Sequence, residues 1–303
     1  MDGGRKFAAH GFPVRAVGIL GAMPGMSRTT HNWFQLRRDA ETGIESVQAH
    51  FRGHAYDAHA HDEVLIGVTQ DGVQRFRCGR SVHTSTRGRI ILIEPGAVHD
   101  GHAPEEAGFT YAMLYLPQPW LREALEGRSP AVSAGLSARF RETLADDDGL
   151  RDAIVRSFAA IHGGEGKLAR DLSLNRLVDY LAGHFDKVEP APAVAPSTAM
   201  NRVRDYLHEH LSADISLNDL VEQSGIDRFR LNRHFTTAFG QSPHAYLVNL
   251  RLRAARQRLA LGDMPADVAN AVGFADQSHL GRWFRRAFGI TPGAYQQACT
   301  NVL

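Results

Sequence analysis

The sequence predicts a two-domain α+β chain. A small barrel of short β-strands with appended helices comes first, followed by an all-α domain of two helix-turn-helix units joined by a long helix. Three observations predict it: an internal repeat with an offset of 49 residues in the C-terminal third, a Pro/Ala-rich stretch ahead of it, and a run of short β-prone segments between Ile44 and Leu116.

At 303 residues and 43% hydrophobic composition, the chain is long enough for two cores. No apolar run approaches the roughly 18 residues of a membrane span. Arg5, Lys6 and Arg15 interrupt the N-terminal stretch, so no signal peptide is expected and the chain reads as cytoplasmic, without a membrane partner. Cys78 and Cys299 fall in different domains and neither sits in a CxxC pair, which argues against a disulfide framework. Residues 1–27 show little pattern and read as a flexible or overextended N-terminus.

Residues 28–117 form the expected barrel. Its strand signals are Ile44 to Phe51, Val64 to Val68, Val73 to Cys78, Ile90 to Ile93 and Thr110 to Leu116, with turns at Asp71-Gly72, Gly79 and Pro95-Gly96. In the run Asp57 to Glu63 a period of two places Asp57, His59, His61 and Glu63 on one face, and the same spacing pairs Tyr111 with Tyr115. Residues 118–186 turn helical, with stripes at Trp120, Leu121 and Leu125; Leu136, Phe140 and Leu144; Ile154, Phe158 and Ile161; and Leu174, Leu177, Val178 and Leu181. Such helices cover a barrel edge or supply a dimer seam.

Residues 187–199 alternate Pro with small residues and read as a semi-extended linker between the cores. The domain beyond it spans 200–303. From Met200 onward, twelve Arg, no Lys and nine acids leave a local surplus of three positive charges on a chain of net charge +1, which permits nucleic-acid binding.

The repeat is the sharpest signal. The segments Asp227–Gly240 and Asp276–Gly289 share an Asp N-cap, Leu and Phe at i and i+4, Ala-Phe, and a terminal Gly. Each is preceded by a helix and a Gly turn, at Gly225 and Gly273, and followed by Ser242-Pro243 or Thr291-Pro292, hydroxyl N-caps ahead of Pro at the first helical position. A long helix after Tyr246 joins the units, with Leu247, Leu250, Ala254 and Leu261 as its inward stripe and Arg251, Arg253, Arg256 and Arg258 around it. A protein-binding solenoid is the competing interpretation, but two units are too few for one.

From Leu217 to about Gln296 the chain resembles the AraC/XylS family of transcriptional regulators. The run Gly273–Leu280 with Phe284, Phe288-Gly289 and Thr291-Pro292 is similar to that family's signature. The resemblance implies two recognition helices in successive major-groove segments, about 34 Å apart. Helical phase turns Phe229, Asn232 and Arg233 outward in the first unit, and Gln277, Ser278, Gly281 and Arg282 in the second. Arg reads guanine and Gln or Asn reads adenine. Arg228, Arg230, His279, Arg285 and Arg286 are assigned to phosphates.

In the barrel, His59-x-His61 and the later Gly88, Gly96 and His99 resemble the two halves of the cupin pattern. Glu94 stands at its usual Pro position, with Pro95 one residue later, and Leu65 or Ile66 stands where its carboxylate ligand falls. Three interpretations of His59, His61 and His99 stay open: a divalent metal site, an effector-lining face, or packed pocket histidines. The effector face is favoured, with Glu63 and Tyr111 as companions and Tyr115 beside them. The function expected is a sequence-specific regulator, an activator, on double-stranded promoter DNA. It would be controlled by a small-molecule effector, work as a homodimer with RNA polymerase, and not be an enzyme. The alternative is a cupin enzyme of the metal-dependent dioxygenase type tethered to DNA, which the missing carboxylate disfavours.

Overall fold

The computed structural model describes residues 31–126, 128, 139–186 and 197–300. The 1–27 segment, Leu136 and most of the expected linker lie outside the described residues. Among the described residues nine strands build the N-terminal part: β1 Trp33–Arg38, β2 Glu45–Phe51, β3 His54–His59, β4 Val64–Cys78, β5 Ser81–Thr86, β6 Ile90–Ile93, β7 His99–His102, β8 Phe109–Leu116 and β9 Leu144–Ala145. All pairings are antiparallel. One sheet runs β1-β2-β8-β4-β6-β9, while the far half of β4 pairs with β5 and β7, and β7 with β3, so β4 is shared by both walls of the barrel.

The Asp71-Gly72 pair is not the turn its composition suggested. The long strand β4 runs through it, with a register shift between Thr69 and Asp71 against β8. Gly72 has φ 72°, and a Cβ there would lie 2.0 Å from the Gly108 carbonyl oxygen. A close approach of two backbones demanded this Gly, and the local sequence looks the same in either case.

The sheet buries both faces, which explains the unbroken apolar run of β6. Ile90 and Leu92 join Ile66, Leu114 and Leu116 under the helices, whereas Ile91 and Ile93 join Val47, Phe76, Phe109 and Met113 inside the barrel. The covering helices are α1 Gln118–Leu125, α2 Asp148–His162 and α3 Lys167–Ala182. Leu150, Ile154, Leu177 and Leu181 are buried at their contact with the sheet, each contributing about 1.5–3 kcal/mol. Arg170 of α3 ties the β1–β2 hairpin down through Asp39 at 2.7 Å and Glu41 at 2.5 Å. The expected helical stripe Leu136/Phe140/Leu144 is not one: Phe140 bridges Phe185 and Leu144 starts β9 against β6. An i, i+4 spacing of apolar residues was met there by tertiary pairing instead.

Seven helices follow: α4 Thr198–Glu209, α5 Leu217–Ser224, α6 Arg228–Phe239, α7 Pro243–Ala260, α8 Pro265–Ala271, α9 Gln277–Phe288 and α10 Pro292–Thr300. Because Ser197 caps α4 by accepting from the Met200 amide, the helix begins inside the stretch read as linker. Ser216 and Asp219 form a reciprocal capping box on α5, and Asp276 caps α9 through the His279 amide at 2.6 Å. The turns at Gly225 and Gly273 hold φ of 68° and 84°, which Gly adopts without strain.

Two cores meet on α7. Leu247 and Leu250 pack with Leu231, Phe235 and α4, while Val248, Leu252, Ala255 and Leu259 pack with Leu280, Phe284 and Tyr295. The inward stripe assigned to α7 is therefore half right: Leu247 and Leu250 are buried, Ala254 is half-buried, and Leu261 is 81% exposed just beyond the helix. A helix packed on two sides has no single amphipathic stripe for periodicity to find.

Candidate functional site

Leu231 and Phe235, and their counterparts Leu280 and Phe284, anchor α6 and α9 in their cores. Their opposite faces are open. Arg228, Arg230, Asn232 and Arg233 are exposed on α6, as are Gln277, Ser278, Arg282 and Arg285 on α9; Phe229 falls outside the described side chains. A Cβ added at Gly281 would meet nothing within 4 Å, so this position adds no side chain to the outward face. Two residues assigned to phosphates are otherwise engaged. His279 is half-buried and its Nε2 accepts from the Trp283 indole at 3.0 Å, while Arg286 donates to Asp57 of the barrel at 2.5 Å.

Inside the barrel β3 and β7 bring His59, His61 and His99 together, all buried, with one ligand atom of each within 4.8 Å of the others. Strand β3 ends at His59, so His61 is carried by the loop that follows. Hydrogen bonding assigns the tautomers. His59 Nδ1 faces the Asp57 carbonyl at 2.7 Å and His99 Nδ1 faces the Ala97 carbonyl at 2.9 Å. Carbonyls only accept, so both rings carry their proton on Nδ1 and turn an Nε2 lone pair inward. Burial holds all three imidazoles below the ordinary histidine pKa, hence neutral.

Tyr111, Tyr115, Tyr56 and Gln74 line the same interior, whose free volume of about 20 Å³ has room for about one water. Gln74 donates to Tyr56 Oη at 2.8 Å, and its buried Oε1 has no partner among the described residues. Glu63 lines a cleft shared with His61 rather than the interior beside His59 and His99, and its carboxylate accepts from Arg256 at 2.7 Å. Three neutral imidazoles with two lone pairs fixed by backbone carbonyls fit a divalent transition ion such as Zn²⁺, Ni²⁺ or Fe²⁺. His59, His61 and His99 would hold it, and a bound ion would supply an open coordination position to a small ligand.

Sequence reasoning missed what closes the barrel. Arg256 of α7 is buried and bridges Glu45 at 2.6 Å and Glu63 at 2.7 Å, with Nη1 3.3 Å from His61 Nδ1. Burial opposes its charge and that of Glu63, but their mutual attraction outweighs this: Arg256 stays above its ordinary pKa and Glu63 below its own. Tyr295 donates to Glu45 at 2.7 Å, and Arg253 pairs with Asp62 at 3.1 Å. Phe288, at the end of α9, packs its ring 5.4 Å from that of His59 and 5.5 Å from that of His61. One signal for Arg256 was available in the sequence: it lies at i+4 from Leu252 and i−3 from Leu259, an arginine on an apolar stripe.

A pair of reading helices on a common strut, docked over a barrel with a polar interior, defines a DNA-binding regulator of the ligand-sensing type. The chain belongs to the AraC family of transcriptional regulators. Residues 41–181 match the AraC-like ligand binding domain and residues 220–298 a helix-turn-helix domain. It is similar to an uncharacterized HTH-type transcriptional regulator, YbfI, of Bacillus subtilis, at 25% identity over 81% of this chain and 88% of the relative. It is also similar to the transcriptional activator NphR of a Rhodococcus species, at 29% identity over 88% of this chain and 78% of the relative. An apo lysine-to-alanine variant of ToxT from Vibrio cholerae shares the two-domain fold, with a TM-score of 0.53, 11% identity, and coverage of 87% of this chain and 100% of that one. Among the described residues no helix is long and apolar enough to cross a membrane.

Proposed function

We propose that the protein is a transcriptional activator that reads double-stranded promoter DNA with α6 and α9 and is set by a small effector bound in the barrel. His59, His61, His99 and Tyr111 receive that effector, and Gln74 is added to the set. The observation that carries this reading is Phe288, which belongs to the second reading helix yet lies against His59 and His61. With so little free volume beside His59 and His99, an occupant larger than a water presses on the lining, to which α9 contributes Ala287 and Phe288. The named activity of NphR supports the sign of regulation.

A homodimer is the assembly proposed, supported by Leu168 and Leu172 on the outer face of α3, 74% and 62% exposed. RNA polymerase is the partner an activator requires. Enzymatic turnover is not part of the proposal, because Glu63, the one carboxylate assigned beside the histidines, is committed to Arg256. The test is a reporter driven by the protein's own promoter together with footprinting. Changing His59, His61 and His99 together to Ala should freeze reporter output at one level while the footprint persists. A reporter that still responds would overturn the sensor assignment, and a footprint without sequence preference would overturn the regulator.

A further inference from the structure

His61 is the hinge of the site, and its hydrogen bonds leave one consistent assignment. Arg256 Nη1, 3.3 Å from His61 Nδ1, can only donate, so Nδ1 accepts and the ring proton sits on Nε2. That proton points at His59 Nε2, 2.9 Å away, which is a lone pair because His59 carries its own proton on Nδ1. His59 and His99 are thus ready to ligate a metal in the docked structure, and His61 is not: its inward nitrogen is the protonated one.

For His61 to ligate through Nε2, the ion displaces that proton and Nδ1 is protonated in its place, leaving the ring neutral and the proton count unchanged. The new Nδ1–H then faces an Arg256 N–H, donor against donor, with a divalent charge added behind it. Glu63, which lines the same cleft as His61, is the acceptor at hand, and Arg256 already donates to its Oε2. An imidazole bound to metal characteristically gives its other N–H to a carboxylate. The metal-bound ring and Arg256 are then two opposed donors turned on one carboxylate, while Phe288 lies against the His61 ring.

We propose that a divalent transition-metal ion held by His59, His61 and His99 and the docking of the DNA-binding domain through Arg256 exclude each other, so that the ion is a releasing signal. This rests on the histidine cluster being the sensor and names one chemistry for what it senses. Release frees Arg286 from Asp57 and uncovers the open side of the ion, where an anionic or chelating small molecule can add.

The experiment uses the full chain and Zn²⁺ alone, comparing wild type with Arg256→Met by calorimetric titration and small-angle scattering. Arg256→Met should bind Zn²⁺ more tightly by a coupling of about 5–150-fold. Zn²⁺ should expand the wild-type chain but leave the already undocked variant unchanged, and a His59→Ala/His99→Ala variant should lose both effects. Because Arg256→Met leaves the buried Glu45 carboxylate without its cation, the same change in a Glu45→Gln background, which keeps Glu63 intact, carries the comparison if the single variant does not fold. Equal Zn²⁺ affinity with and without Arg256, Zn²⁺ binding without expansion, or no histidine-dependent binding in any variant would overturn the proposal. An organic effector that still acts through the histidines would then leave the sensor reading standing.

Discussion

The Arg286–Asp57 contact withdraws one cation from DNA, and its size can be worked from its exposure. The two side chains are 62% and 26% exposed and 2.5 Å apart. A partly solvated pair of this kind is worth about 0.5–1 kcal/mol. Asp57→Asn removes the charge, keeps the shape, and leaves the backbone carbonyl that fixes His59 untouched. Liberating Arg286 adds one phosphate contact, so the slope of log affinity against log salt should steepen by about 0.9. Affinity at low salt should rise by about two- to fivefold, the equivalent of that energy. Fluorescence anisotropy of an operator duplex over a salt series with the full chain measures both. Arg286→Ala should leave the wild-type slope unchanged, and the double variant Asp57→Asn/Arg286→Ala should match Arg286→Ala alone. An unchanged slope in Asp57→Asn, or a double variant distinct from Arg286→Ala, would refute the reasoning.

Arg233→Ala and Arg282→Ala should each cost about 1–3 kcal/mol on the cognate site and relax base choice at one position, whereas Arg285→Ala weakens all sequences alike; selection from a random-duplex pool separates the two behaviours. Gly281→Ala should raise the stability of the full chain by about 0.5–1 kcal/mol, since the new methyl meets no neighbour within 4 Å in the interior of a helix; a lowered melting temperature would contradict this. Burial works against the Asp39 carboxylate, but the Thr42 hydrogen bonds and Arg170 outweigh it and hold its pKa below the usual value. Its stabilisation is therefore complete above the ordinary carboxylate range and is lost as pH falls through and below that range. Asp39→Asn should lower the melting temperature at neutral pH and flatten its acid dependence; parallel profiles would exclude the assignment.

The C-terminal domain was legible because each unit announces itself locally: an Asp cap, two apolar anchors one turn apart, and a Gly whose positive φ ends the helix. The outward faces of α6 and α9 followed from the same phase. The barrel was legible through alternation, which put His59 and His61 on one face, and through the cupin resemblance, which added His99. What the sequence hid were contacts between segments far apart in the chain. Nothing near Arg256 names Glu45, 211 residues away, and nothing near Asp57 names Arg286, 229 residues away. The Pro/Ala stretch suggested independent domains, yet composition describes a connection and says nothing about how the surfaces beyond it match. Gly72 shows the same limit, since a turn and a bulge ask for the same residue.

The connecting helix α7 has a further consequence. Its 18 residues span about 27 Å, and both reading units are built into its sides rather than hung from its ends. One inserted residue would swing the second unit by about 100° relative to the first, far off the groove. Divergence in such a molecule is confined to the outward side chains: the letters it reads can be rewritten one at a time, but the distance between the two words cannot drift.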